Sequence, residues 1–386
     1  MKDASFHNSN RVIGISHAVD LFEQTELFLE IDNDAVLHLS KLGGAPGFSS
    51  TRSILKSTGI QMRRLLSDQV SPHDLAYLML RKLESESGIA ATDFHQILLC
   101  HSHTDPLAAG VMAHTLAMRA ELRETAVTGY NFGCSGYLKL VDEGVQLLSG
   151  QADGAKVAVL TVETPEYWHD AADRLFCGIV SAGATATILE AGAGLPVSAV
   201  RSDDFMVPLD RRPNPEPLFH TDLTAVFDFR GLPCERMVMR MNAEPVFLNG
   251  IELMLDNLRS ALLSIEVGAG ERVIVAPHQP SGKLLKALIA AASSEFPQLE
   301  FLNNLRDYGN TISSSVPTLV SRLPDVLAEN QLDPLDEGDH VILLAAGICM
   351  REIADHMSAG YACVRWQADA LNANPDLRDF GIVRAA

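Results

Sequence analysis

The chain has 386 residues, 47% of them apolar, and a formal net charge of −19. That length is too great for one ordinary core and suits two domains of similar size, and that apolar content excludes disorder. The acidic balance, spread along the chain, excludes a nucleic-acid binder, and an acidic carrier protein would need a local basic patch to dock.

The first ten residues, Met1 to Asn10, are polar and lack the basic-then-apolar pattern of a signal peptide. No apolar run approaches the roughly 20 residues that span a bilayer, so the expectation is a soluble cytoplasmic protein without membrane contact. Val12–Ile15 predicts a first strand. Gly43–Gly47 predicts a flexible loop, not a phosphate cradle, because no GK[ST] or GxGxxG follows. A helix is well marked after Ser71: Ser71 caps it, Pro72 fits its first turn and Asp74 suits its positive end. Leu75, Leu78, Met79 and Leu83 line one face, and Gly88 ends it. The strand Ile97–Cys100 follows, and Met112 and Met118 read as core.

A helix opens just after Cys134, with Leu138, Val141, Val145 and Leu148 on one face and Gly150 past its end. Strands are predicted at Val157–Val162, Thr185–Leu189, Val273–Ala276 and Val341–Ala345. Between Pro208 and Pro233 the chain is rich in Pro, Asp and Arg without a period, and reads as a connection or inserted surface region. Strands alternating with helices give an α/β class.

Three pairs of segments recur in the same order. Ile97–Pro106 resembles Val273–Pro280, each an apolar strand entering a His-bearing turn. Tyr130–Gly136 parallels Asp307–Ser313, each a Gly-containing turn before a helix, and Lys156–Thr161 parallels His340–Ala345. The repeat implies two copies of one βαβ-rich domain, residues 1–200 and 201–386, with loops facing each other across a cleft.

Six cysteines show no CxxC pair, so neither a zinc site nor a disulfide framework is indicated and no metal is expected. Cys134 stands apart, in Gly133-Cys-Ser-Gly136 at a helix start, where the dipole favours thiolate and a lowered pKa. His278 ends a strand in Ala276-Pro-His-Gln-Pro280, and Asn310 lies in Tyr308-Gly-Asn-Thr311. Each alone is an ordinary buried cysteine, turn histidine or turn asparagine. Their places at matching turns of a duplicated scaffold make a Cys–His–Asn set. His101 and His103 share a strand face but have no further metal-ligating partner, and are read as structural. Gly183 is read as allowing a tight turn under the site.

These segments resemble β-ketoacyl-ACP synthase III, within the thiolase superfamily, from about Ser53 onward. Thr58-Gly-Ile…Arg63-Arg64, Gly133-Cys-Ser-Gly136, Pro277-His-Gln279 and Tyr308-Gly-Asn-Thr311 carry the resemblance. It implies a thiolase-like duplicated fold in α/β/α/β/α layers and usually a homodimer. It implies no bound cofactor, with a CoA or phosphopantetheine thioester as substrate and acyl-CoA or acyl carrier protein as partner. Cys134 would be acylated, while His278 and Asn310 would polarise the donor thioester. The N–H groups of Cys134 and Gly347 would form the oxyanion hole. Lys283, with Lys286, Arg63 and Arg64, would form the basic carrier-docking patch. Asp105 would stand where the family has an aromatic residue limiting the acyl pocket across the dimer.

The chain departs from the family at His278-Gln-Pro-Ser281, Ser181-Ala-Gly183 and Ala345-Ala-Gly347, and has Ser53 and Ser57 where a CoA-binding Trp and an Arg are expected. The departures imply a specialised relative with weaker CoA recognition and a roomier or more polar acyl pocket. Decarboxylative Claisen condensation is the leading expectation. The alternative is acyl transfer from Cys134 to a hydroxyl or amine, with His278 as general base. A non-decarboxylative condensation with Asp105 as base ranks third, and a scaffold subunit fourth.

Overall fold

The computed structural model describes residues 12–44, 46–350 and 355–372. Met1–Asn10, and Ala45 of the glycine loop, lie outside them.

The first copy opens with β1 (Ile13–Asp20), then β2 (Phe28–Asp32), α1 (Asn33–Leu39), α2 (Thr51–Thr58) and β3 (Met62–Leu66). It continues through α3 (Pro72–Ser87), β4 (Gln96–Cys100), α4 (Ala108–Arg119), β5 (Ala126–Tyr130), α5 (Gly136–Leu148), β6 (Lys156–Glu163) and β7 (Gly183–Ala191). The second runs β8 (Leu195–Met206), β9 (Phe219–Phe227), β10 (Pro233–Met241), α6 (Ala243–Leu263), β11 (Val273–Pro277) and α7 (Gly282–Glu295). After these come β12 (Glu300–Phe301), α8 (Leu305–Tyr308), α9 (Ser315–Ser321), α10 (Leu323–Glu329), β13 (His340–Ile348) and β14 (His356–Arg365).

Ten strands form one mixed sheet in the order β12-β11-β13-β14-β8-β1-β7-β6-β4-β5. Read outward from the β8–β1 junction, the two halves match strand for strand. In each, the two pairings nearest the junction are antiparallel, and the strand entering the His-bearing turn (β4 or β11) pairs in parallel with both neighbours. β1 and β8 meet through a short antiparallel stretch, Gly14 to Pro196 and Ile15 to Leu195.

The internal two-fold explains the layering. α5 packs against β6 and β7 of one half and β8 and β14 of the other, and α9 touches β1, β7, β11 and β13. These central helices are apolar on several sides because a half of the sheet lies on each side of them. Tyr137 and Leu140 of α5 are therefore buried along with the stripe Leu138, Val141, Val145 and Leu148. Each such fully buried side chain contributes roughly 1.5–3 kcal/mol. α3 and α4 cover the outer face of one half-sheet, α6 and α7 that of the other. Strands covered on both faces become continuous apolar runs, which is why Ile97–Cys100 shows no alternation.

α3 is built as its sequence predicts. Ser71 and Asp74 form a reciprocal capping box, Pro72 is the first helical residue, and Gly88 closes the helix at φ 71° in the left-handed region. Two expectations are corrected. Part of Pro208–Pro233 is regular: β9 pairs with β10 from Phe219–Met241 to Phe227–Pro233. The period was hidden because this hairpin has few residues on a core face. Met118 is 67% exposed, whereas Met112 is buried, since Met118 lies near the end of α4, away from the sheet.

Candidate active site

Cys134 lies in the turn Gly133–Ser135 between β5 and α5. Gly133 has φ 71°, and a Cβ there would stand 2.5 Å from the Ile348 carbonyl oxygen, so the turn demands glycine for conformation and for space. The duplicated counterpart is the turn Ile312–Ser314 before α9, which touches the cysteine turn. His278 follows β11, and its N–H is fixed by the Leu344 carbonyl of β13 at 2.7 Å. Two matching turns and one strand end thus deliver Cys134, His278 and Asn310 to one cavity of about 940 Å³, its mouth included. Gly347 lines it as well, and no lining residue carries a formal charge.

The cavity is apolar for most of its wall. Phe176, Ile179, Val180 and Ile312 come from the loops, Met239 and Met241 from β10, and Val246 and Phe247 from α6. Cys134 is half-buried and opens onto this space. Burial nevertheless pushes its thiol up to about 12, and the carboxyl of Glu163 adds to the effect. The expectation of a lowered pKa is overturned, because loss of water outweighs the helix terminus in an apolar enclosure.

His278 is buried, and burial lowers its pKa to about 3. Its Nδ1 is 2.7 Å from Oγ of Ser315, and that hydroxyl also accepts the Gln279 N–H at 3.1 Å. Among the described residues the Ser315 hydroxyl has no other acceptor. Its hydrogen is therefore assigned to the bond with Nδ1, leaving the hydrogen of the neutral ring on Nε2. Among the described residues Nε2 has no partner. Asn310 is oriented comparably. Its Oδ1 accepts the Ile312 N–H at 2.9 Å, and its Nδ2 has only a 3.3 Å contact with the Pro280 carbonyl oxygen. His278 and Asn310 thus each bring a donor to the cavity.

Gly347, on β13, lies against the Cys134 turn. A Cβ at Gly347 would be 2.6 Å from the Cys134 Cβ and 2.9 Å from its Sγ. Gly183 supports the site from below, where a Cβ would meet Phe22 at 2.8 Å. It does so as a spacer within β7, not as a tight turn.

Two expected docking residues, Arg63 and Arg64, do something else. Arg63 is 1% exposed: its guanidinium donates to the Asn33 Oδ1 at 2.6 Å, to the Gly178 carbonyl and to Thr58, and burial lowers its pKa to about 10. It braces the loop whose Ile179 carbonyl accepts the Asn310 N–H, and cannot reach a carrier. Arg64 donates to the Asp307 carbonyl at 2.8 Å and lies against Phe22 and Tyr308, fastening β3 to the asparagine loop. Asp105 is exposed, accepts the Leu107 N–H at 2.9 Å and does not line the cavity of its own chain. Lys283 and Lys286 are exposed on α7, next to the cavity residues Ser281 and Leu284. Ser53 and Ser57 are engaged in bonds of α2 itself, Ser53 in a capping box with Ser50 and Ser57 with the Ile54 carbonyl.

Four important residues escaped the sequence reading. Glu163 ends β6 fully buried, accepting from the Ser102 N–H at 3.2 Å, the Ser102 hydroxyl at 2.8 Å and the Ser313 hydroxyl. Burial raises its pKa to about 7. An acidic residue closing an apolar strand was the available signal. Ser315 is hidden in a serine run, and Trp168 and His169 lie between two recognised elements without a period. His101 is structural, its Nδ1 bonded to the Val162 carbonyl at 2.7 Å. Among the described residues no group of three or more His, Cys, Asp or Glu is placed to hold a metal, and no helix is long and apolar enough to cross a membrane.

No family model matches the chain. It is 25% identical over 280 residues to a β-ketoacyl-[acyl-carrier-protein] synthase III of Cereibacter sphaeroides, covering 68% of this chain and 78% of the relative. Its fold is similar to the crystal structure of 3-oxoacyl-(acyl carrier protein) synthase III from Pseudomonas aeruginosa PAO1. That match has a TM-score of 0.68 and 20% identity, over 92% of this chain and 98% of the other. It is also similar to the priming β-ketosynthase of the R1128 polyketide pathway, with a TM-score of 0.64 and 17% identity over 92% and 96% of the two chains.

Proposed function

We propose that this chain, a β-ketoacyl-ACP synthase III-like protein of the thiolase superfamily, holds an acyl group on Cys134 and extends it by decarboxylative Claisen condensation with a malonyl-type donor. The observation that carries the reading is the convergence of one thiol and two neutral donors, His278 Nε2–H and Asn310 Nδ2–H, on a single uncharged cavity.

In the loading step the Cys134 sulfur attacks the thioester carbonyl of an acyl-CoA or acyl carrier. The tetrahedral oxyanion is held by the N–H groups of Cys134 and Gly347, a pair in which loss of one donor costs about 3 kcal/mol. Thiol exchange is proton-neutral overall: the Cys134 hydrogen leaves with the departing thiol. In the second step the carbonyl oxygen of the malonyl donor takes hydrogen bonds from His278 and Asn310. As carbon dioxide leaves, the electron pair is held as the enolate, which attacks the acyl carbonyl and expels the Cys134 sulfur as thiolate, and a proton from water restores the thiol.

Transfer to a hydroxyl or amine would need His278 as a base. Its hydrogen-bonding with Ser315 and the pKa of about 3 both favour a donor instead. Carrier docking belongs with Lys283 and Lys286, joined by exposed Arg52 and Lys56 of α2, which packs on α7 where Gly59 meets Gly282. A cytoplasmic homodimer is part of the same proposal. The occupied Ser53 and Ser57 support a specialised relative with reduced contact to CoA.

The test is intact-mass spectrometry with a panel of acyl thioesters, with and without a malonyl donor. Expected are an acyl adduct, lost in Cys134→Ala, and carbon dioxide release that needs the loaded enzyme. Adduct turnover onto an alcohol or amine without carbon dioxide release would establish the acyltransferase reading instead.

A further inference from the structure

The cavity contains a second buried histidine that the condensation does not use. His169 is 1% exposed and lies between Trp168 and Phe176, with ring centroids 4.0 and 4.2 Å away. Its Nδ1 is 2.9 Å from the Pro165 carbonyl oxygen. A carbonyl only accepts, so Nδ1 carries the hydrogen and Nε2 presents a lone pair. Among the described residues nothing donates to that Nε2, while the ring forms part of the cavity wall. The two histidines are therefore opposite tautomers in one chamber: His278 offers N–H, His169 offers a bare nitrogen. The neighbouring Trp168 indole N–H also lacks a partner among the described residues.

We propose that the acyl chamber is built for an acyl chain bearing a hydroxyl group, which donates a hydrogen bond to Nε2 of His169. This deepens the proposed function and rests on it. Three observations select the ligand class. The free atom is an acceptor, so the acyl group must bring a donor. No Asp or Glu lines the cavity, so a cationic amine would be buried without a counter-charge; no Lys or Arg lines it, so a carboxylate would fare no better. The remaining wall around His169 is Trp168, Phe176, Leu175 and Met239, which suits the hydrocarbon of the chain. Burial keeps the ring neutral, with a pKa lowered to about 3, so it reads the hydroxyl and does not deprotonate it.

The experiment measures acylation of Cys134 by matched pairs of acyl-CoA thioesters, each unsubstituted chain beside its 2-, 3- and ω-hydroxy counterparts. Expected is a preference of about ten-fold or more for one hydroxy position, the size of effect when a buried polar group is otherwise left unpaired. His169→Leu should reduce that preference to near unity, read as the ratio of hydroxy to unsubstituted loading within the variant. His169→Gln, which keeps an acceptor oxygen, should restore part of it. Equal loading of every pair, or a hydroxyl preference unchanged in His169→Leu, overturns the inference and leaves the proposed function standing. No adduct from any thioester overturns both.

Discussion

Ser315 and His278 are 37 positions apart in sequence and joined by a 2.7 Å hydrogen bond that fixes which nitrogen of the imidazole carries its hydrogen. The hydroxyl also accepts the Gln279 N–H and has no other acceptor among the described residues, so its own hydrogen is assigned to Nδ1. Ser315→Ala leaves the ring free to change tautomer or turn. Condensation is expected to fall on the order of 100-fold, the scale of a small misplacement at a reacting centre, while thioester loading of Cys134 persists. Single-turnover assays of the two half-reactions check this, and an equal loss in both would remove Ser315 from the donor-positioning role.

Gly347 has no room for a methyl group. With a Cβ 2.6 Å from that of Cys134, Gly347→Ala must displace the nucleophile turn or β13. Loading by any acyl thioester is expected to drop at least about 100-fold. Overpacking should also cost about 1–3 kcal/mol of stability. Mass-resolved acylation rates and urea titrations measure the two effects separately.

Glu163 makes stability depend on pH. Its carboxyl titrates near 7 in the folded chain and near 4.5 when unfolded, so between those values the native state keeps a proton that the unfolded state has released. Stability from this group therefore declines as pH rises through that window, by about 3 kcal/mol in all. Buried His169 and His278 act at the acid side, losing stability as pH falls below their unfolded value of 6.5. The difference between wild type and Glu163→Gln isolates the carboxyl. The variant should gain relative stability between pH 4.5 and 8, as read by urea unfolding at both values, and a constant difference would contradict the assignment.

Arg63 and Lys283 should separate cleanly. Arg63→Ala strands the Gly178 carbonyl and Asn33, and is expected to cost about 2–4 kcal/mol, with poorer condensation through the loosened asparagine loop. Lys283→Glu should leave unfolding unchanged, raise KM for carrier-bound substrate, and lose that effect at high salt. A stability loss in Lys283→Glu comparable to that of Arg63→Ala would remove the docking role.

The resemblance in motif order was enough to read the duplicated fold, since strand–turn–helix units are local and each copy repeats them. The same holds for α3, whose cap, proline and closing glycine act within one helix. Cys134, His278 and Asn310 were legible because each stands at the end of a recognisable element. Arg63 and Arg64 were misassigned because a pair of arginines in sequence says nothing of what encloses it. The thiol pKa was misjudged for a related reason: the helix terminus is local, whereas desolvation is set by β10, α6 and the opposite half closing over the turn. Ser315, Glu163 and His169 take their roles from partners or walls supplied by other elements.

Sequence by itself thus determined the scaffold and the places of Cys134, His278 and Asn310 at the ends of its elements, because short-range pattern and chain order encode them. Only the tertiary structure decided which protons those groups hold and what walls enclose them. Those properties depend on water excluded and hydrogen bonds closed between residues far apart along the chain.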